Sequence, residues 1–536
     1  MEFKYEEFMQ INNEEFLQNR YGKEQWIQVA GHSSLNGADA GFYCGLIDIK
    51  KIETVFKDHC WDIHYGDGCP GFLYYDSDAT YYKNVLEEEG KEVLVFKRDF
   101  YGIKPSTIEI AEEFRLLNNL YFDINNNAYY SIKEDGQVDE AIRICGEAVY
   151  IKLSYLIRYI SAKQMALLLF FDIRFEYSGT LKDINISECS RDYRTDDLYY
   201  SIWVGENSFP IKSYSIIMGK KIIFPRPKQT CGFWPYEKPR NYIDYIIGVD
   251  ENGEEKSFTS DPEKLGNYFG ANPKAPHYLT PVFFKKEVLH KYYSDPSRYR
   301  IENSRLECGY LWGLSLDLDH KDYVMVYLGD LGRDLPESEQ IYWRSYNVAT
   351  DEKISRSSFL RDFLNCSESP EIADIRFKNL YKSFNKSWEN KFGWCFYLPL
   401  ESGDEYNLDN LRIPLNENQE EFDHQVLSLN KLLVDSINEK QLSKSFSKTE
   451  DMKGIKKLEE WCKVKGIVGY EPKISFLRNL QELRSAGTGH RKGKSYKKIE
   501  KVFGLDRYSL KDVFDDILKA GIEYLLFMQG QIPLIE

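Results

Sequence analysis

Apolar residues recur at helical spacing in the first third of the chain. Steps of three and four residues predict a helix over 150–165, because such steps place side chains on one face. The apolar positions are Leu153, Leu156, Ile157 and Ile160. The run at 166–175 follows without a polar break, and its apolar and aromatic residues predict a buried strand.

Shorter runs of β-branched and aromatic residues predict further strands. These runs lie at 198–204, 214–218, 221–224, 311–316, 323–328 and 394–400. Gly219 and Lys220 separate the second run from the third, and this dipeptide predicts a hairpin turn. We therefore expect the chain up to residue 410 to be an α+β region with aromatic-rich strands.

Helical spacing returns after residue 407. Four apolar stripes predict four amphipathic helices, which together form a small bundle. The stripes are Phe422, Val426, Leu429, Leu433 and Ile437; Ile455, Leu458 and Cys462; Phe476, Leu480 and Leu483; and Leu510, Val513, Phe514, Ile517, Leu518, Ile522, Leu525 and Leu526. The sequence therefore predicts an all-α C-terminal region.

The chain is long enough for several domains, since 536 residues are several times the usual domain length. The segment 261–276 is rich in Asn, Gly, Pro and Lys, and it indicates a seam near residue 265. The change to helical spacing indicates a second boundary near residue 410. We predict an α+β region over 1–265, which is a candidate sensor, an α+β continuation or second subdomain over 266–410, and a helical domain over 411–536.

Composition restricts the class of protein. Hydrophobic residues make up 42% and charged residues 29% of the chain, and the longest apolar run, 165–171, is far too short to span a bilayer. The first residues lack a basic stretch followed by an apolar one, so we expect a cytoplasmic protein without membrane partners. The ten cysteines are spread evenly without a CxxC pair, which indicates reduced thiols rather than a disulfide framework.

Charge restricts where nucleic acid could bind. The formal net charge of −15 argues against binding over the whole surface, because phosphate binding needs a concentrated basic face. One such concentration exists between residues 484 and 501. It contains one acid, Glu500, and the seven basic residues Arg484, Arg491, Lys492, Lys494, Lys497, Lys498 and Lys501. Any nucleic-acid site is therefore expected to be local, in the helical region.

The basic segment opens with Arg484-Ser-Ala-Gly-Thr-Gly-His490-Arg491, directly after the third apolar stripe. The pattern is an arginine, a gap of four to six residues and a histidine, and it lies between the last helices of a small bundle. This pattern resembles the HEPN superfamily. The resemblance covers about residues 417–536. It implies a metal-independent endoribonuclease without cofactors, in which two protomers of a homodimer bring their motifs together.

The residue types suit RNA cleavage without a metal. The 2′-OH needs a base and the leaving oxygen needs a proton, and histidine supplies both near neutral pH, so His490 is the candidate general acid/base. Arg484 is the candidate that stabilises charge on the phosphate through bidentate donors. The candidate RNA contacts are Arg491, Lys492, Lys494, Lys497 and Lys498. Fusion to a large region is similar to bacterial toxin and anti-phage defence proteins, whose partner region senses a phage-derived or other protein trigger.

Alternatives remain open at the motif. Family members often carry Asn, Asp or His directly after the arginine, whereas this chain has Ser485, and Gly487 and Gly489 lie inside the motif. In the alternative interpretation, Arg484 and His490 form the basic end of a helix and contact its terminal backbone carbonyls. The corresponding function is a non-catalytic protein-interaction or RNA-binding protein whose helical domain only dimerises.

Two other clusters contain residue types that can bind metals, but they give weaker evidence for a site. His59, Cys60, His64 and Cys69 crowd into eleven residues, but their spacing matches no common zinc site. A second cluster lies between two predicted strands and is best explained as an acidic loop. Its members are Asp317, Asp319, His320 and Asp322. The sequence therefore predicts no metal site.

Overall fold

The computed structural model describes most of the chain. The described residues are 4–19, 22, 24–35, 38–75, 78–84, 86, 89–208, 211–302, 304–364, 372–446, 452–487 and 494–535. The chain divides into two compact units. Unit 1 comprises Met1–Lys133 and Gln137–Pro239, and unit 2 comprises Glu134–Gly136 and Arg240–Glu536.

Unit 1 is built on an eleven-stranded antiparallel sheet. Its strands run in the order β13-β14-β15-β12-β2-β1-β11-β10-β9-β8, with β5 beside β2. The strands of unit 1 are β1 Trp26–Leu35, β2 Ala38–Asp48, β3 Gly71–Tyr75, β4 Asp78–Tyr82, β5 Lys91–Val93, β6 Val95–Phe100, β7 Lys104–Ile110, β8 Tyr121–Asp123, β9 Ala128–Ile132, β10 Val138–Cys145, β11 Ala148–Lys152, β12 Met165–Tyr177, β13 Cys189–Arg194, β14 Leu198–Ser208 and β15 Ile211–Ile223. Its helices are α1 Tyr5–Phe8, α2 Ile11–Gln18, α3 Ile52–Val55, α4 Glu112–Leu117 and α5 Leu153–Lys163.

Strand β12 lies in the middle of this sheet and pairs with β2 on one side and β15 on the other. Successive side chains of a strand point to opposite faces. Phe170 accordingly packs in one core and Phe171 in a second core across the sheet. Leu156 of α5 is buried in the same core as Phe170. The predicted helix at 150–165 and strand at 166–175 are confirmed by α5 and β12.

The predicted hairpin at Gly219-Lys220 is wrong, because β15 runs through both residues. Gly219 lies between Phe171 on β12 and Tyr200 on β14. A Cβ at this position would meet the Tyr199 carbonyl oxygen at 2.2 Å. The glycine therefore serves close packing of neighbouring strands rather than a turn.

Unit 2 begins with small antiparallel sheets and continues as helices. Its strands are β16 Asp244–Val249, β17 Glu255–Thr259, β18 Pro281–Lys285, β19 Tyr299–Glu302, β20 Arg305–Cys308, β21 Trp312–Ser315, β22 Tyr323–Tyr327 and β23 Asn347–Val348. Its helices are α6 His290–Ser294, α7 Leu328–Asp334, α8 Glu337–Arg344, α9 Arg356–Leu364, α10 Ala373–Phe392, α11 Tyr406–Asp409, α12 Gln419–Asn430, α13 Glu439–Leu442, α14 Gly454–Val464, α15 Glu471–Gly487, α16 Lys494–Phe503 and α17 Leu510–Gln531. We predicted an α+β region followed by an all-α region, and the coarse order is confirmed, since a region rich in antiparallel strands precedes a helical C-terminal region.

The core of the α+β part of unit 2 contains a hydrogen-bonded aromatic pair. The indole Nε1 of fully buried Trp343 donates to the Tyr292 hydroxyl at 2.7 Å, and that hydroxyl donates to Glu339 at 2.6 Å. Burial of these polar atoms is tolerated because each has a partner. Leu265 is buried in the same core, so the seam predicted near residue 265 falls inside unit 2.

The helical part of unit 2 has its own core, which extends beyond the predicted bundle. Helix α10 precedes the predicted boundary near residue 410, yet its aromatic residues belong to this core. Leu411, at that boundary, is buried in it as well. The predicted strand at 394–400 is wrong, since the described part of this segment forms an isolated bridge between Tyr397 and Ile437. The surrounding helices offer it no strand to pair with.

The long helices are amphipathic. Helix α17 has 22 residues and buries Phe514, Ile517 and Leu518, but its outer face carries charges such as Lys519, which pairs with Asp515 at 2.6 Å. Such charges are costly in a hydrocarbon environment. Among the helices that the structure describes, none combines the length and the apolar character needed to cross a bilayer.

Replacement of Gly219 tests the close packing of β14 and β15. We expect Gly219→Ala to destabilise the protein by about 1–3 kcal/mol, because the new methyl group meets backbone rather than a flexible side chain. Gly71→Ala is the matched control, since a Cβ there meets nothing within 4 Å. Urea unfolding of both variants measures the difference. Equal midpoints for the two variants would contradict this account of Gly219.

Candidate nucleic-acid interface in the helical domain

Helix α15 places Arg484 at the edge of the helical core. The helix buries Ile474, Leu477, Leu480, Leu483 and Ala486. This spacing of three residues keeps one face of α15 against the core through its last turn. Arg484 follows buried Leu483 and is partly exposed. Arg484 thus lies at the border between the buried face of α15 and its exposed face.

Several predicted site residues lie outside the described residues. These are His490, Arg491 and Lys492. Lys494 begins α16, and the structure describes its backbone only. The described members of the predicted site are Arg484, Lys497 and Lys498.

Three helices converge at the end of α15. A Cβ added at Gly487 would lie 3.5 Å from the Asp423 Oδ1 of α12 and 3.6 Å from the Tyr496 ring of α16. The Gln419 side chain donates to Asp423 Oδ1 at 2.8 Å. Burial raises the pKa of the Tyr496 phenol, and the nearby carboxylates of Asp423 and Glu500 add to the effect. The motif therefore starts from a polar junction of α12, α15 and α16.

Gly487 belongs to α15, so the helix continues through this glycine. The contacts of its added Cβ are ordinary van der Waals distances. Gly487 is thus not required by a left-handed conformation or by close backbone approach. Gly487 therefore does not interrupt α15, and Gly489 lies outside the described residues.

Helix α16 turns the basic run into one charged face. Tyr496 and Ile499 are buried, whereas Lys497, Lys498 and Lys501 are exposed. At 3.6 residues per turn, the three lysines fall within an arc of about 100°. Among the described residues, none of the three has a carboxylate within ion-pair distance. Sequence reasoning identified the lysines, but it did not predict the helix that aligns them.

The arrangement can attract phosphates but does not by itself specify a sequence. Exposed lysines act as point charges that bind phosphate groups in a salt-dependent way. Arg484 offers a planar fork that suits two oxygens of one phosphate. The described side chains therefore fit a local, shape-tolerant nucleic-acid contact at the end of α15.

The acidic cluster at 317–322 has a structural role. Asp317 is 2% exposed and accepts hydrogen bonds from the Ser355 amide at 2.9 Å and the Ser355 hydroxyl at 2.8 Å. Burial opposes ionisation of Asp317, but the His320 ring at 3.3 Å and the hydrogen bonds from Ser355 lower its pKa to about 2. The carboxylate thus anchors the segment that leads into α9. Within the described part of the chain, no group of three or more His, Cys, Asp or Glu residues is placed to hold a metal ion.

Unit 1 contains an open cavity of about 490 Å³ that sequence reasoning missed. Cys60 and His64, which were singled out in the sequence, line it together with side chains from the sheet. His32 pairs with Asp39 at 2.7 Å across its wall, and Arg174 binds Asp172 through two hydrogen bonds. This volume is in the range that small ligands occupy. One sequence signal pointed to this cavity. Polar residues alternate with apolar residues in β12 after its apolar first half.

Comparisons with known proteins did not identify a relative of this chain. No family model, no curated protein and no solved structure gave a significant match to the chain.

Proposed function

We propose that the chain is a metal-independent endoribonuclease of HEPN type, and that its large N-terminal region regulates the cleavage. The observation that carries the proposal is that Arg484 lies in the last turn of α15, where Gly487 approaches Tyr496 of α16, the helix that carries the exposed lysines. This is a local basic surface in a chain of net charge −15. The biological setting of anti-phage defence or toxin activity follows from the resemblance alone.

The roles divide between chemistry and binding. His490 removes the proton from the 2′-OH or protonates the leaving oxygen. Arg484 stabilises the charge that grows on the phosphate, because its guanidinium matches two non-bridging oxygens. Lys497 and Lys498, with the adjoining Arg491, Lys492 and Lys494, hold the RNA backbone. The large N-terminal region senses the trigger, which is a phage-derived or other protein.

Substitution of the motif tests the catalytic roles. We expect His490→Ala to lower RNA cleavage by roughly 100- to 10,000-fold with little change in RNA affinity, because it removes the proton-transfer group and leaves the basic field. Arg484→Ala should also suppress cleavage. Arg484→Lys should restore little, since lysine lacks the planar fork. Cleavage and gel-shift assays on one RNA, with EDTA present, measure both properties.

The same assays decide between the proposal and its rival. Equal loss of binding and cleavage in His490→Ala, or full activity in both alanine variants, would leave the non-catalytic interaction protein as the better description. Loss of cleavage by the unmodified protein in EDTA would instead indicate a metal-dependent activity. Toxicity of the intact chain in a host cell, relieved by His490→Ala, would support the nuclease.

Removal of the two exposed lysines tests the binding role. Each phosphate contact to a single strand contributes about 0.7 to the slope of log affinity against log salt. We expect Lys497→Gln/Lys498→Gln to reduce that slope by about 1.4 and to weaken binding at low salt. The matched control is Lys440→Gln/Lys456→Gln, which removes the same charge from exposed positions on α13 and α14. An identical salt slope in both double variants would sink the assignment of α16.

The proposed site also requires a second copy of the chain. One arginine and one histidine are few groups for phosphoryl transfer, so two motifs are expected to meet across a two-fold axis. Light scattering at micromolar concentration should give the mass of a dimer. Cleavage per chain should fall when the protein is diluted until it dissociates. A monomer that cleaves RNA at full rate would exclude the composite site.

A further inference from the structure

Unit 2 contains a second feature, a small cavity between its α+β core and its helical core. The cavity has a volume of about 40 Å³ and is partly open to solvent. Its apolar walls include Leu289 and Leu415 of the α+β core and Ile413, which packs against the helical core. Its charged lining consists of three cations and two carboxylates. These are Lys286, Lys378, Arg412, Glu302 and Asp374.

Arg412 is the most buried of the cations, with 9% exposure. Its guanidinium lies over the Tyr293 ring at 4.3 Å, and one terminal nitrogen pairs with Glu421 at 2.9 Å. The other terminal nitrogen donates to the Asn410 carbonyl oxygen at 3.1 Å. The Nε–H has no acceptor among the described residues. A buried donor without an acceptor is costly, so this nitrogen points to a missing ligand.

The two lysines are held by backbone rather than by acids. Lys286 Nζ donates to the His320 carbonyl oxygen at 2.7 Å, and Lys378 Nζ donates to the Asp409 carbonyl oxygen at 2.8 Å. Within the described residues, neither ammonium has a carboxylate at ion-pair distance. Each ammonium has three donors, so capacity for further hydrogen bonds remains. Burial lowers the pKa of both lysines, and Asp374 only partly offsets it.

The two carboxylates of the lining are already engaged. Glu302 pairs with Lys382 at 3.3 Å and with Arg300. Asp374 accepts the backbone amides of Ile375 at 2.6 Å and Ile413 at 3.0 Å. Cations outside the lining thus compensate the charge of Glu302. Glu421 likewise compensates the charge of Arg412. Asp374 is then the remaining carboxylate of the lining for Lys286 and Lys378, while Asp319 and Asp322 act on Lys286 from outside the lining and Asp409 acts on Lys378.

The size of the cavity limits the ligand. A water needs about 10–15 Å³ of such space, so the cavity holds roughly three waters or one group of similar size. A tetrahedral oxyanion meets this limit and offers several acceptor oxygens. Its oxygens can accept from two ammonium groups and from a guanidinium nitrogen at once.

We propose that this cavity is a binding site for a phosphate oxyanion, held by Lys286, Lys378 and the Nε–H of Arg412. The oxyanion is a free phosphate ion or the terminal phosphoryl group of a small molecule whose remainder lies outside the opening. Binding joins the α+β core to the helical core, because Lys286 directly follows β18 and Lys378 belongs to α10. The site is separate from the surface at the end of α15, and it does not depend on the nuclease proposal.

Titration calorimetry of the full chain tests the site. Inorganic phosphate and a nucleoside monophosphate are titrated separately at constant ionic strength. We expect saturable binding of phosphate that Lys378→Gln weakens by about tenfold to hundredfold, as for loss of one charge-assisted hydrogen bond. Lys386→Gln is the matched control, since Lys386 is an exposed lysine on the same helix and does not line the cavity. Tighter binding of the nucleotide would identify a phosphoryl group as the ligand, and equal binding the free ion.

A second variant protects the test against misfolding. Lys286→Gln changes the lysine that follows β18 and should weaken phosphate binding to a similar extent. Thermal unfolding without phosphate first establishes that each variant is folded. Absence of saturable binding to the unmodified chain at millimolar phosphate would overturn the proposal. Equal affinities for Lys378→Gln, Lys286→Gln and Lys386→Gln would overturn it as well.

Discussion

Burial of one aromatic face of α10 fixes the helical half of the protein. Phe377, Tyr381, Phe384 and Trp388 are nearly inaccessible, and they fill the helical core. α10 can approach α17 closely because Gly521 has no side chain, and a Cβ there would lie 3.1 Å from the Phe377 ring. Large aromatic side chains contribute several kcal/mol each on burial, so this contact determines how α10 sits. The remaining faces of α10 are then fixed as well.

The packing of α10 also determines where the polar groups of the cavity lie. Lys378 and Asp374 lie on the turns of α10 beside its buried face, which brings them to the cavity of unit 2. Buried Phe422 anchors the start of α12 in the same core. Its neighbour Glu421 pairs with Arg412 at the cavity, and Asp423 lies at the end of α15. One short helical segment therefore supports both the cationic cavity and the candidate nucleic-acid surface.

Local patterns predicted the elements whose apolar residues are regularly spaced in the chain. The spacing of apolar residues before and after residue 165 was sufficient for α5 and β12. The basic run at 484–501 was equally visible, because charge density is a property of the sequence. The alignment of its lysines was not predicted, since it depends on Tyr496 and Ile499 being buried and thereby orienting α16. The resemblance supplied the chemistry proposed for Arg484 and His490.

The sequence by itself determined the β-rich first part, the helical last part and the position of a basic motif, because hydrophobic spacing and charge are encoded residue by residue. Tertiary structure decided that Gly219 continues a strand, since only the neighbouring Tyr199 backbone explains why no side chain fits. It also assembled the cationic cavity, whose residues Lys286, Lys378 and Arg412 are far apart in the chain. Such a site has no sequence pattern, because it depends on how two cores pack rather than on the spacing within one element.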